Sequence, residues 1–217
     1  MKHNGKPLAT LLAVLMLLLF TLTAGSAQDA APADMLAAYR AVALGEQSYL
    51  QVDPYEETQT EATLTPDIAQ WYGYLFEIPK RFDAFAVTDL DKDGSPELLL
   101  RLSDDFGFEL LRYINGTVYG YPFVYRAMEA ITTDGEIHAD SGASNFGWYT
   151  LTFTDSTVEP ALICWATDED ADHIQYYIGD AEVSGEAFQE LNDSLWSKPM
   201  IAWTDFTPEA LAALGAN

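Results

Sequence analysis

A succession of short extended segments joined by tight turns constrains the fold of this chain more strongly than any other feature. Apolar and polar residues alternate after Phe82, and further strand-like runs follow one another as far as Ile178. Asn115-Gly116 suits a two-residue hairpin turn because both positions there require positive φ, and Asp134-Gly135 suits a second turn. The connections are shorter than a parallel crossover requires, so we expect an antiparallel β-meander. The candidate strands cover residues 84–88, 98–102, 108–114, 117–125, 130–131, 136–137, 146–153, 159–166 and 173–178.

Helical patterns lie on both sides of this strand region. Apolar residues at helical spacing predict a first helix over 33–44, and Thr65-Pro66-Asp67 has the composition of a helix start, predicting a second helix to Leu75. Ser184 can cap a helix that ends near Trp196, and a short helix is expected over 207–214. The sequence therefore predicts an α+β fold, with the helices at the N- and C-terminal ends of the sheet.

The N-terminus has the three parts of a secretory signal. Lys2 and Lys6 precede an apolar stretch over 8–22, and small residues follow at 24–27. An uncleaved membrane anchor is the alternative, but this stretch is shorter than the roughly 20 residues that a membrane-spanning helix needs. We expect a secreted protein of the extracellular space or cell envelope, without integral membrane association after cleavage. The expected organisation is a signal peptide over 1–27, a flexible lead over 28–34 and a single α+β domain over 35–217.

The acidic composition restricts the partners. The chain carries 34 acidic and 10 basic residues, a formal charge of −24, and loss of the signal peptide would make this −26. Phosphates of nucleic acids and anionic lipid headgroups repel such a surface, so we expect no nucleic-acid partner. Aromatic residues make up 13% of the chain, which indicates a packed protein rather than a disordered acidic tail. Cations and a protein or glycan partner remain.

One acidic cluster, residues 89–97, has the spacing of a cation-binding loop. Three aspartates alternate from Asp89, a glycine stands at the sixth position, and Glu97 occupies the ninth. Ca²⁺ takes six to eight oxygen ligands, so a loop that binds it must direct several carboxylates inward and add a backbone carbonyl. A plain acidic hairpin turn is the alternative interpretation. The predicted calcium ligands are Asp89, Asp91, Asp93, Glu97 and the main chain of Ser95.

The same nine residues resemble two known kinds of calcium loop. They are similar to the first nine positions of an EF-hand loop, and equally to the strand–loop–strand sites of FG-GAP-type, integrin-like extracellular proteins. Leu100 stands where an EF-hand has its bidentate Glu, and Pro96 lacks the N–H that paired EF-hands use, so the second resemblance is favoured. It implies that Leu90 and Leu98 anchor the loop in the core. The segment also resembles one in secreted bacterial proteins of unknown function.

No motif in the sequence identifies a catalytic residue or an organic cofactor. Cys164 is the only cysteine and lies in an apolar run, so we expect an inert buried thiol. The sequence predicts a secreted, non-enzymatic calcium-binding protein whose Ca²⁺ is structural between two strands, serving as a binding or interaction module. A carbohydrate-binding or carbohydrate-active protein is the alternative, because the many Trp and Tyr residues could stack on sugars. Packing of these aromatics in a β-sheet core explains their number as well.

Overall fold

A computed structural model confirms an α+β fold built mostly from strands. It describes residues 32–53, 58–64, 81–103, 107–154, 157–170 and 173–215. The helices in this part of the chain are α1 (Pro32–Ala43), α2 (Gly185–Trp196) and α3 (Pro208–Ala213). The strands are β1 (Tyr49–Val52), β2 (Gln59–Ala62), β3 (Phe82–Thr88), β4 (Glu97–Leu102), β5 (Gly107–Ile114), β6 (Thr117–Val124), β7 (Ala130–Ile131), β8 (Ile137–Gly142), β9 (Asn145–Thr154), β10 (Thr157–Asp170), β11 (His173–Ile178), β12 (Ala181–Val183) and β13 (Thr204–Asp205).

The strands form two sheets rather than one. Strands β3 to β6 are a meander within a seven-stranded sheet of order β13-β3-β4-β5-β6-β1-β2, and β7 to β12 are a second meander that makes a six-stranded sheet. Neighbouring strands pair antiparallel, as the short turns predict, except that β1 lies parallel to β6. The sequence did not signal β1, and the helix predicted over 65–75 lies outside the described residues.

Three apolar clusters define four layers. The first cluster joins helices α1 and α3 to one face of the seven-stranded sheet, and the second fills the space between the two sheets. The third packs α2 against the outer face of the six-stranded sheet. The order is therefore α1 with α3, seven-stranded sheet, six-stranded sheet and α2.

The position of strand β4 between two apolar clusters explains why its sequence is almost continuously apolar. Leu98 and Leu100 belong to the cluster under the helices, whereas Leu99 belongs to the cluster between the sheets. Side chains alternate between faces with a period of two, so a central strand covered on both faces needs apolar residues at successive positions.

The local signals for turns and helix starts agree with the structure. Asn115 and Gly116 have φ of 50° and 90°, as the hairpin turn between β5 and β6 requires. The Ser184 side chain accepts a hydrogen bond from the Ala187 N–H at the start of α2, and Thr207 caps α3 in the same way. Helix α1 begins at Pro32, so the last three residues of the expected flexible lead are helical.

Within the described ranges, none of the helices combines the length and the apolar character needed to cross a membrane.

Candidate metal centre

The acidic segment 89–97 runs from the end of β3 to the first residue of β4 and curls tightly. Lys92 has φ of 61° and Gly94 has φ of 90°, both in the left-handed region. Gly94 adopts this conformation without steric cost because it has no Cβ, and two such residues in close succession turn the backbone around the carboxylates. The register of β3 and β4, in which Thr88 pairs with Glu97, fixes the two ends of the loop side by side.

Three of the five predicted ligands converge. Asp89, Asp91 and Glu97 each bring a carboxylate oxygen within 4.8 Å of the others. Carboxylate oxygens are the ligands that hard cations such as Ca²⁺ take. This triad, Asp89, Asp91 and Glu97, has the donor chemistry of a divalent cation site.

Backbone N–H groups hold all three of these carboxylates in place, and the Asp93 N–H donates to Asp91 Oδ1 at 3.3 Å. The Asp93 N–H donates to Asp89 Oδ1 at 3.1 Å and the Gly94 N–H donates to Asp89 Oδ2 at 3.1 Å. On the other side of the loop, the Leu90 N–H donates to Glu97 Oε2 at 3.0 Å. A carboxylate oxygen has two lone pairs, so these bonds orient the groups and leave acceptor capacity for an ion.

Glu97 is the unusual member of the triad because it is completely buried. Its side chain is 0% exposed, and its Oε1 accepts no hydrogen bond from the part of the chain that the structure describes. Burial raises the pKa of Glu97 to about 8, and the neighbouring Asp91 charge acts in the same direction. Burial likewise raises the pKa of Asp91, assisted by Asp93. Without a cation, the fold therefore disfavours ionisation of both carboxyl groups.

Arg112, on β5, is the basic side chain nearest to this cluster among the described residues. Its Nη2 lies 2.8 Å from Asp93 Oδ2 and 3.5 Å from Asp91 Oδ2, and its Nε lies 3.6 Å from Glu97 Oε1. The sequence analysis did not identify this residue. The available signal was an arginine inside a mainly apolar strand, one hairpin away from the acidic loop.

The two other predicted ligands lie differently. Asp93 is outside the triad. Its Oδ1 accepts from the Ser95 N–H at 2.7 Å and its Oδ2 accepts from Arg112 Nη2 at 2.8 Å. For Ser95 the structure records the N–H as a donor to Asp93, while the role of its carbonyl as a ligand stays a prediction.

The loop is anchored in both sheets. Leu98 is buried in the first apolar cluster and Leu90 in the cluster between the sheets, as the resemblance implied for these two leucines. The backbone carbonyl of Leu90 packs closely on Gly135 in the β7–β8 turn. A Cβ added at Gly135 would lie only 2.2 Å from the Leu90 oxygen. The Lys92 amine donates to the Thr133 carbonyl of the same turn at 2.8 Å.

A cleft of about 330 Å³ opens beside the loop, between it and β9. Its polar lining includes Asp91 and Lys92 from the loop and Thr150 and Thr152 from β9. A cation held by the triad would therefore border a space that water or a small polar ligand could enter.

Several of the aromatic residues that could form a sugar-binding platform are used in packing, whereas Trp196 is 45% exposed. Trp148 is fully buried and donates from Nε1 to Asn192 Oδ1 at 3.0 Å. Trp203 packs against Phe108, and the Trp165 Nε1 donates to Asn145. Cys164 is also buried, and burial raises the pKa of its thiol, in agreement with an inert role.

The chain matches no family model, no curated protein and no solved structure.

Proposed function

We propose that this is a secreted, non-enzymatic calcium-binding protein in which Ca²⁺ is a structural element of the β3–β4 connection. The observation that carries the proposal is the Glu97 carboxylate, which is fully buried, has one oxygen without a hydrogen bond and brings a carboxylate oxygen within 4.8 Å of those of Asp89 and Asp91. A buried polar atom without a partner is costly, and a cation would satisfy it. Secretion follows from the expected signal peptide, and extracellular calcium concentrations would fill a site of this kind.

A structural role for the ion is supported by where the loop is fixed. Leu90 enters the core between the sheets, and Lys92 bonds to the β7–β8 turn of the second sheet. An ion that orders residues 89–97 would therefore support the contact between the two sheets as well as the β3–β4 pair. A protein that needs its ion for this purpose would serve as a binding or interaction module at the cell surface.

Thermal unfolding with and without Ca²⁺ tests the proposal. For a dissociation constant of about 10⁻⁴ to 10⁻³ M, 10 mM Ca²⁺ stabilises the folded state by about 1.4 to 2.7 kcal/mol. For a protein of this size that corresponds to a rise in melting temperature of about 3 to 11 °C. Asp91→Ala and the isosteric Glu97→Gln should each abolish the rise, whereas Asp205→Asn, an exposed carboxylate on β13, should retain it. Equal melting temperatures in Ca²⁺ and in chelator would contradict the proposal.

The cleft beside Asp91 supports a second candidate, a carbohydrate-binding protein. Threonine hydroxyls, a lysine amine and carboxylates are groups that bind sugar hydroxyls, and Thr150, Thr152 and Lys92 supply the first two here. A glycan array with Thr152→Ala as the probe distinguishes this candidate. Binding that depends on Thr152 would support it, and the absence of glycan binding would remove it.

A further inference from the structure

We propose that Arg112 is a built-in counter-ion of the acidic loop, which a metal ion must displace and which therefore sets the affinity of the site. This inference rests on the calcium site proposed above and concerns its regulation. The guanidinium occupies the side of the loop on which Asp91, Asp93 and Glu97 converge, with its nitrogens 2.8 to 3.6 Å from an oxygen of each. A positive charge there lowers the repulsion among the carboxylates without an ion and raises the energy of a cation placed beside it.

The distances indicate that Arg112 balances the charge of the cluster incompletely. Only the contact with Asp93, at 2.8 Å, has the length of a strong charge-assisted hydrogen bond. The separation of 3.6 Å between Arg112 Nε and Glu97 Oε1 is too long for a hydrogen bond, so the buried oxygen stays unpartnered. One positive charge thus faces several carboxylates, while Lys92 turns its amine toward Thr133 instead.

Arg112 also has a second favourable contact that does not involve the loop. Its guanidinium carbon lies 4.3 Å from the centre of the Phe153 ring, within the range of a cation–π interaction. The Arg112 side chain is only 12% exposed, although its partner Asp93 is 38% exposed. When a divalent cation binds Asp91 and Glu97, Arg112 can lose its contacts with the loop and keep its contact with the Phe153 ring.

The register of the seven-stranded sheet makes this arrangement a consequence of the fold. Leu98 on β4 pairs with Leu111 on β5. Because the strands are antiparallel, the next pair in this register is Glu97 with Arg112, and these two residues lie side by side. The arginine is therefore fixed beside the loop by the core leucines rather than by the loop itself.

Isothermal titration with CaCl₂ tests the inference on the protein and on Arg112→Gln. Removing the competing charge should lower the dissociation constant for Ca²⁺ by about tenfold. Arg101→Gln is the matched control, because Arg101 lies on β4 and pairs with Asp83 at 2.9 Å, and it should change the constant less than twofold. Arg112→Lys, which retains the charge but not the planar fork, should give an intermediate value and provides a second variant if Arg112→Gln folds poorly.

The outcomes separate the inference from the proposed function. Weaker or unchanged Ca²⁺ binding by Arg112→Gln, beside normal binding by the unaltered protein, would overturn the counter-ion role. Weaker binding would make Arg112 a positioning residue instead. Binding by Arg112→Gln alone would support the counter-ion role and contradict calcium binding as the native function. Binding by neither would overturn both.

Discussion

Replacing Glu109 by glutamine should have a more favourable effect on the free energy of unfolding at pH 8 than at pH 5. Glu109 lies on β5 and is 1% exposed, and its Oε1 accepts a hydrogen bond from Gln51 Nε2 at 3.0 Å. Burial raises the pKa of Glu109 to about 8, and the hydrogen bond from Gln51 opposes this only in part. The folded protein therefore holds this carboxyl group protonated at neutral pH.

The sign and size of the effect follow from proton linkage. Because the folded state binds the proton of Glu109 more tightly than the unfolded state does, the stabilisation is complete below about pH 4.5 and is lost as the pH rises through 8. One pH unit corresponds to at most about 1.4 kcal/mol, and the dependence flattens near both pKa values, so this one group lowers the free energy of unfolding by about 3 to 4 kcal/mol between pH 5 and pH 8. Glutamine cannot ionise and lacks this dependence.

Urea denaturation at pH 5, 6, 7 and 8, with chelator present throughout, measures the difference directly. The free energy of unfolding of Glu109→Gln minus that of the unaltered protein should increase by about 3 to 4 kcal/mol across this range. Glu159→Gln, which removes an exposed strand glutamate, is the control and should give a nearly constant difference. If the Glu109→Gln difference were also independent of pH, the reasoning about this buried group would be refuted.

Two further substitutions test the contact between the loop and the β7–β8 turn, and the buried histidine on β8. Gly135→Ala places a Cβ against the Leu90 carbonyl, so it should lower the free energy of unfolding by more than the roughly 1 to 2 kcal/mol expected for a left-handed residue, and should weaken the Ca²⁺-dependent rise in melting temperature. Gly116→Ala has the same φ of 90° in open space, and an equal loss in both variants, measured by urea denaturation, would exclude the contact as the cause. Burial lowers the pKa of His138 although Asp140 acts in the opposite direction, so its contribution to stability is present above about pH 6.5 and declines in more acidic solution. His138→Gln should therefore flatten the fall in melting temperature between pH 6.5 and 5, and an unchanged pH profile would contradict this.

The features that the sequence predicted correctly are local ones. The turn at Asn115-Gly116, the cap at Ser184 and the apolar run of β4 each depend on residues close together in the chain. In such cases the backbone preference or the hydrophobic period acts within a few residues, and distant neighbours change it little.

The division into two sheets could not be predicted in the same way. Both meanders have the same alternating pattern and the same kinds of turn, and the change of sheet between β6 and β7 depends on how Met128 and Ile131 pack between the layers. The parallel pairing of β1 with β6 joins segments far apart in the chain. Neither event leaves a periodic signal.

The residues of the candidate metal centre that lie in the loop could be predicted from the sequence. Asp89, Asp91 and Glu97 were predicted as ligands because the spacing of acidic residues in a loop is itself the signal of a cation site. Arg112 was missed because it reaches the loop only through the pairing of β4 with β5. Asp93, equal to its neighbours in the sequence, lies outside the triad in the structure and makes the shortest of the contacts with that same arginine.

A crystal structure of the protein grown with CaCl₂, with anomalous data collected at long wavelength, tests the central claim most directly. We predict one anomalous peak within the loop, coordinated by Asp89, Asp91 and the otherwise unpartnered oxygen of Glu97. A loop without a peak, with Arg112 remaining in contact with Asp91 and Asp93 at saturating Ca²⁺, would show that the arginine is the only cation this cluster holds and would contradict the claim.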